Sequence, residues 1–319
     1  MSNYCFGVDI GGTSIKIGIF DKIGELLEHW EIPTRKENGG ENVLPDVWQA
    51  IQKKMEERGI RKEEILGIGL DAPGPVSEDG IIYGCVNMGW GTFHLVEAFQ
   101  KISGVSLIKA CNDAKVAALG EYWKGPCQGC GSMVMVTLGT GVGGGVILDG
   151  RIWMGANGAA GEIGHLTMLS NEEESCNCGK KGCLEQIASA TGIVRIAKKF
   201  LAQQDTPSTL RNLPELTAKD VLDTAKEGDG LALEIVEYVC KYLGMALANV
   251  CCVVDVNRII IGGGVSKAGE FLLEKIKKNF NMYAFHSCRE TEISIASLGN
   301  LAGIYGCVKM VLEEIEKGA

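Results

Sequence analysis

Apolar and polar positions change period several times along the chain, and each change marks an element. Ile15, Ile17 and Ile19 alternate with Lys16, Gly18 and Phe20, the two-residue period of a strand. An apolar run at residues 4–10 comes before them, and Gly11-Gly12-Thr13 lies between. The pattern is therefore strand, glycine turn, strand. A dinucleotide fingerprint or a P-loop needs a helix after its glycines, so the context excludes both. The design recurs with a strand over 133–138, a turn over 139–145 and a return over 146–148. Asp149-Gly150 then signals a hairpin into a strand over 151–154. A third cluster differs: a short buried strand over 258–261 breaks at Gly262-Gly263-Gly264, and Ser266 is placed to cap a helix over about 267–279. Helical periodicity covers 41–58, 114–123, 231–250 and 301–316, and polar turns divide 200–230 into further helices. A strand over 105–111 ends at Asn112-Asp113.

Strands alternate with helices throughout, which predicts an α/β architecture. Two copies of the strand–turn–strand design, about 130 residues apart, predict two similarly built halves. The main boundary is expected near residue 115. The last helix should return to the first half, giving a small domain of 1–115 plus about 301–319 and a larger one of 116–300.

Composition narrows the partners. The net charge of -9 disfavours a nucleic-acid surface and points to a small molecule. No apolar run is long enough to span a bilayer, and the first residues carry no signal-peptide pattern. Thirteen cysteines, many within apolar segments (Cys111, Cys240, Cys251, Cys252), read as small buried hydrophobes and predict a reducing, cytoplasmic setting. Forty-four glycines are about twice the usual ~7% share, and they gather at strand ends, where backbone comes close to something.

What the glycines approach is an open question at each cluster. Backbone N–H groups at Gly11, Gly12 and Thr13, and again at Gly139, Thr140 and Gly141, can form nests for phosphate oxygens. A tight hairpin with no ligand explains either copy alone, but the paired hydroxyls of Thr13 and Thr140 favour the nest. Asp9, just before the first turn, would repel phosphate unless a cation intervened, which points to Mg²⁺ held through water. Lys16 is either a phosphate contact or a solvated strand lysine. Gly262, Gly263 and Gly264 suit an adenine or ribose surface, or merely a close strand–helix turn. Asp113 is either a helix cap or a general base with Asn112 beside it on the same substrate; phosphoryl transfer to a hydroxyl needs one such carboxylate.

The stretch 162–185 is the most chemically specific. Glu162, His165, Cys176, Cys178, Cys183 and Glu185 fall within 24 positions. Three cysteines set among Ser, Asn, Gly and Lys are out of place as core residues, and with His165 they form the donor set of a closed zinc site. Glu162 and Glu185 have no place among four ligands. They suggest a loop braced by metal whose remaining polar groups bind something else.

Taken together, these residues resemble the ROK family of sugar kinases, named for its repressor, open-reading-frame and kinase members. Asp9-Ile10-Gly11-Gly12-Thr13 through Lys16 looks like its first phosphate motif, Leu138 to Gly145 like its second, and Gly262 to Ser266 like its adenosine motif. Gly161-Glu162-Ile163-Gly164-His165 followed by the Cys176–Glu185 run is the most specific signature. The resemblance covers essentially the whole chain. It implies an actin-like ATPase (ribonuclease H-like) fold of two domains with catalysis in a cleft, and a homodimer or homotetramer. It implies ATP, Mg²⁺ and structural zinc on His165, Cys176, Cys178 and Cys183. Asp113 would be the base that takes the proton of a hexose 6-hydroxyl as it attacks the γ-phosphate. Gly74, Asn112, Glu162, His165 and Glu185 would hold the sugar, with His165 touching both metal and substrate. Val86-Asn87-Met88-Gly89-Trp90 and Asn112-Asp113-Ala114 are most similar to the family's bacterial glucokinases, so glucose is the expected substrate. Lys115, where those enzymes often carry asparagine, leaves N-acetylmannosamine, N-acetylglucosamine and fructose as alternatives. A sugar-responsive repressor is disfavoured by the eight residues ahead of Asp9, too few for a DNA-binding domain. A non-catalytic sugar-binding regulator is disfavoured by the intact Asp113 and both phosphate turns.

Overall fold

The computed structural model describes residues 3–318, the side chain of Val86 aside. The chain divides into two compact units. One comprises the first 128 residues, 150–160 and the C-terminal stretch from Ser297; the other comprises 129–149 and 161–296.

In the first unit, β1 (Tyr4–Ile10), β2 (Ser14–Asp21), β3 (Leu26–Pro33), β4 (Ile65–Ala72) and β7 (Ile108–Asn112) form one sheet in the order β3-β2-β1-β4-β7. β1 and β2 are antiparallel around the first glycine turn, with Asp9 opposite Lys16, while β4 and β7 run parallel to β1 and to each other. β1 and β4 are buried almost continuously, as strands covered on both faces must be, whereas the edge strand β3 alternates partly buried and exposed residues. Between β3 and β4 come α1 (Glu37–Gly40), a single irregular turn, and α2 (Val43–Arg58), closed by Gly59 in the left-handed region. A small hairpin, β5 (Ile81–Cys85) with β6 (Trp90–His94), leads into α3 (Leu95–Ser103). Then α4 (Asp113–Lys124) follows β7 directly, and α10 (Ala302–Gly318) packs against α4, β1 and β4. Small residues let this helix in: a Cβ on Gly69 would lie 2.0 Å from the Cys307 carbonyl oxygen, and one on Gly306 would lie 1.9 Å from that of Val116.

The last helix, α10, belongs to the first unit, where it packs on α4, β1 and β4. The expected boundary near 115 falls inside α4, which stays with the first unit because it packs on α10. The expected strand over 151–154 is only the two residues of β10 (Arg151–Ile152).

The second unit pairs β8 (Ser132–Leu138) and β9 (Val142–Leu148) around the second glycine turn, and continues parallel from β8 through β11 (Arg258–Gly262) to β12 (Glu292–Ile295). Its turn is tighter than expected: residues 143–145 already belong to β9, paired with 135–137. The core packs α5 (Glu185–Ala188), α6 (Ala190–Gln203), α7 (Ala218–Lys226), α8 (Gly230–Val254) and α9 (Glu270–Tyr283) on this sheet. Ser266 does not cap α9. Its hydroxyl donates to the Gly263 carbonyl at 2.8 Å, and Gly269 stands at the cap position. Among the described residues no helix is long and apolar enough to cross a membrane. Cys111, Cys240, Cys251 and Cys252 are free thiols, and the first three are buried as expected. Cys127 and Cys130 are instead disulfide-bonded across the turn after α4, a pairing that their C-x-x-C spacing could have signalled.

Candidate active site

In the first unit the candidate groups gather at the ends of parallel strands, where open α/β sheets bind ligands. β7 ends at Asn112, and this residue caps α4: its Oδ1 accepts the N–H groups of Ala114 (3.1 Å) and Lys115 (3.3 Å). Asp113 is therefore the first helical residue rather than the cap. Its Oδ1 accepts from the Ala114 N–H (2.8 Å) and the Asn112 Nδ2 (2.9 Å). Nδ2 also donates to the Gly74 carbonyl at 3.2 Å, which brings Gly74, Asn112 and Asp113 together. Lys115 is buried and donates to the Gly158 carbonyl, which ties α4 to the 153–160 loop.

The first glycine turn is closed by the Gly11 N–H on the Ser14 carbonyl (3.1 Å) and held by the Thr34 hydroxyl on the Gly11 carbonyl (2.7 Å). Lys16 pairs with Asp9 at 3.0 Å, both side chains 19% exposed, so the lysine is neither fully solvated nor core. Beside them stands a residue the sequence reading missed. Asp71 on β4, in register with Asp9, is 0% exposed; its Oδ1 accepts the Ile10 N–H at 3.2 Å. Burial pushes its carboxyl well above the usual carboxylate range, and the negative charges of Asp9 and Asp113 push the same way. The Cys307 thiol, also pushed up by burial, donates to the Val8 carbonyl and lies 3.5 Å from Asp71 Oδ2. Only the "D" of Asp71-Ala72-Pro73-Gly74, an acid within an apolar strand, hints at this in the sequence.

In the second unit the donor atoms of His165, Cys176, Cys178 and Cys183 all lie within 4.8 Å of one another. Zinc–sulfur bonds of about 2.3 Å in a tetrahedron put sulfurs about 3.8 Å apart. The Cys178 and Cys183 sulfurs are 3.6 Å apart, and Cys176 Sγ is 3.9 Å from His165 Nδ1. The donor set thus fits zinc, and His165 turns Nδ1 toward it. Burial and the neighbouring thiols push Cys183 up to about 12, and burial also raises Cys176. Burial opposes the charged form of Cys178 too, but hydrogen bonds led by the Lys180 backbone leave that thiol lowered.

The loop carrying these ligands is tightly built. Gly182 has φ +74°, and a Cβ there would lie 1.8 Å from the Leu169 carbonyl oxygen. Gln186, also missed at the sequence level, accepts the N–H groups of Gly182 (2.9 Å) and Cys183 (3.1 Å) and donates to the Glu174 carbonyl (3.0 Å). Arg195 and Lys199 on α6 grip the nearly buried Glu172 at 2.6 and 3.3 Å. Burial opposes the charged form of Glu172, yet its Arg195 and backbone partners bring it down to about 2.

Glu185 stands between metal loop and glycine turn. Its Oε2 accepts the Val142 N–H at 3.0 Å, and its Oε1 lies 3.5 Å from Cys176 Sγ. Glu162 is exposed, and it makes no side-chain cap bond to the short turn Ile163–His165 that follows it. The second turn is backed by α6, whose Ala190 N–H donates to the Gly139 carbonyl (2.8 Å) and whose Thr191 hydroxyl donates to that of Thr140 (2.8 Å). Gly263, at φ +85°, sits against the end of β8, where a Cβ would lie 2.5 Å from the Leu138 carbonyl oxygen, so the third glycine cluster adjoins the second turn. An open groove of about 740 Å³ runs from Thr140 and Thr191 past Lys198 to Arg211 and Pro214.

The ROK family model matches residues 5–314. A glucokinase of Halalkalibacterium halodurans is 43% identical over 98% of this chain and 97% of its own length. The crystal structure of a ROK hexokinase from Thermus thermophilus superposes with a TM-score of 0.84 at 31% identity, covering both chains completely. A ROK glucokinase from Streptomyces griseus, solved with glucose and AMPPNP, superposes with a TM-score of 0.78 at 30% identity, covering 97% of this chain and 99% of its own.

Proposed function

Since this chain belongs to the ROK family and has its actin-like ATPase fold, we propose that it transfers the γ-phosphate of ATP to the 6-hydroxyl of a hexose, glucose first. The observation that carries this reading is the Asn112–Asp113 pair. Asn112 caps α4 and is fastened to the Gly74 carbonyl, which fixes Asp113 at the helix start with one oxygen already bonded to backbone. A carboxylate held this way can accept the proton of an attacking hydroxyl, and positioning and electrostatics supply most of the rest of phosphoryl transfer.

The sugar ligands in this reading are Gly74, Asn112, Asp113, Glu162, His165 and Glu185. His165 Nδ1 faces the cysteine cluster, which leaves Nε2 for a sugar hydroxyl. His165, Cys176, Cys178 and Cys183 would hold zinc, which braces the loop and takes no part in the transfer. Gly11, Gly12 and Thr13 with Lys16, and Gly139, Thr140 and Gly141, would receive the phosphates. Asp9 would orient hydrated Mg²⁺, which neutralises charge on the transferring phosphoryl group. Gly262, Gly263 and Gly264 would line the adenosine end. A cytoplasmic location and a homodimeric or homotetrameric assembly complete the reading; free thiols such as Cys240 and Cys251 support the location, and the Cys127–Cys130 disulfide stands against it.

The test is ADP release with ATP and glucose, mannose, fructose, allose, N-acetylglucosamine and N-acetylmannosamine in turn. Glucose should give the highest kcat/KM. A clear preference for an N-acetylated sugar or for fructose would replace the assigned substrate, and no release with any hexose would reject the kinase reading.

A further inference from the structure

We propose that Asp71 is a positioning residue for ATP: through the backbone of Ile10 it sets the aim of the first phosphate turn. The proposal deepens the kinase reading and rests on it. The pairing of β1 with β4 runs from Tyr4 opposite Ile65 to Asp9 opposite Asp71 and stops there. Ile10, one residue further, has no partner on β4. Its N–H is taken by the Asp71 carboxyl at 3.2 Å, so the side chain continues the ladder where the strand does not. That nitrogen belongs to the peptide joining Asp9 to Ile10. One hydrogen bond therefore orients both the departure of the Asp9 side chain and the entry into Gly11-Gly12-Thr13.

The carboxyl is itself held in place. The Cys307 thiol of α10 lies 3.5 Å from Oδ2 and also donates to the Val8 carbonyl at 3.3 Å. Gly303, one turn earlier on α10, leaves the space: a Cβ there would come within 2.8 Å of Asp71 Oδ2 and 3.0 Å of Asp9 Cγ. An apolar side chain would fill this fully buried position at less cost than a carboxyl. Bridging the end of β1 is what the carboxyl adds.

The experiment compares Asp71→Ala and Asp71→Asn in the full chain, varying ATP at saturating glucose and glucose at saturating ATP. Asp71→Ala should raise KM for ATP about five- to tenfold, equivalent to about 1–1.4 kcal/mol, with KM for glucose changed less than about twofold. Asp71→Asn, whose amide oxygen can still accept the Ile10 N–H, should restore KM for ATP to within about twofold of wild type. A merely structural role would lower the melting temperature without this split or rescue. An unchanged KM for ATP in Asp71→Ala, equal rises in both KM values, or failure of Asn to rescue would each overturn the proposal. If Asp71→Ala does not fold, Gly303→Ala, which presses on the same carboxyl from α10, must show the same split, and its absence is refuting. Loss of the kinase reading is separable, because wild-type protein would then release no ADP with any hexose.

Discussion

Glu185→Ala probes a contact that joins two functions in one side chain. The carboxylate accepts the Val142 N–H of the second glycine turn at 3.0 Å and lies 3.5 Å from Cys176 of the metal loop. Its Oε2 would lie 2.4 Å from a Cβ on Gly141, so the turn is moulded around it. Removing it leaves a backbone donor without its charged acceptor, which costs about 1–3 kcal/mol. If that cost falls on the transition state, kcat/KM drops about 5- to 150-fold. Because the same carboxylate is proposed to hold a sugar hydroxyl, KM for ATP and KM for glucose should both rise. Zinc content should stay at wild-type level, since Glu185 is not among the four ligands. Steady-state kinetics in a coupled ADP assay, with elemental analysis of the purified variant, measure all three. A variant with KM for ATP within about twofold of wild type would refute the link from Glu185 to the phosphate turn.

Three further outcomes concern the metal loop. Freshly purified protein should contain about one zinc per chain, and Cys178→Ser should lower metal content, melting temperature and glucose affinity together; wild-type protein without zinc would refute the assignment. Gly182→Ala forces a side chain into a left-handed backbone position facing the Leu169 carbonyl, and should destabilise the protein by at least about 1–3 kcal/mol in denaturant titration; unchanged stability would mean the loop can shift. Glu172 is held down at about 2, below its ordinary 4.5, so its ion pairs with Arg195 and Lys199 contribute fully above pH 4.5. That contribution fades as pH falls through 4.5 toward 2. Glu172→Gln should therefore lower the melting temperature at pH 7 and converge with wild type in acid, whereas a constant difference down to pH 2 would contradict the ion-pair account.

Much of this was legible because period and glycine placement carry it. The alternation at Ile15, Ile17 and Ile19 identified β2 and excluded nucleotide motifs that need a helix. The C-x-C-x₄-C run with His165 identified a cluster that the fold closes to within 4.8 Å. Bounds were harder to read. Residues 143–145 look like a glycine loop but form ladder pairs in β9, because hydrogen bonding there depends on the facing strand rather than on side chains. Ser266 looks like a helix cap, yet the chain makes one more turn first and its hydroxyl folds back on Gly263. Asp71 was hard to read for a different reason: its partner Ile10 is distant in sequence, and only tertiary structure brings the two together. Gln186 lies close in sequence to Gly182 and Cys183, but its bonds to them depend on the fold of the loop between them and α5.

In the proposed reaction Asp113 accepts the proton of the attacking hydroxyl, and Asp113→Asn is the decisive substitution. The substitution keeps an oxygen for the Ala114 N–H and removes the basic group. Single-turnover and steady-state phosphorylation should be slower by about 10²–10⁴, the usual contribution of a positioned acid–base group. Glucose binding measured by calorimetry should stay within about threefold of wild type. A variant whose kcat remains within about tenfold of wild type would contradict the account.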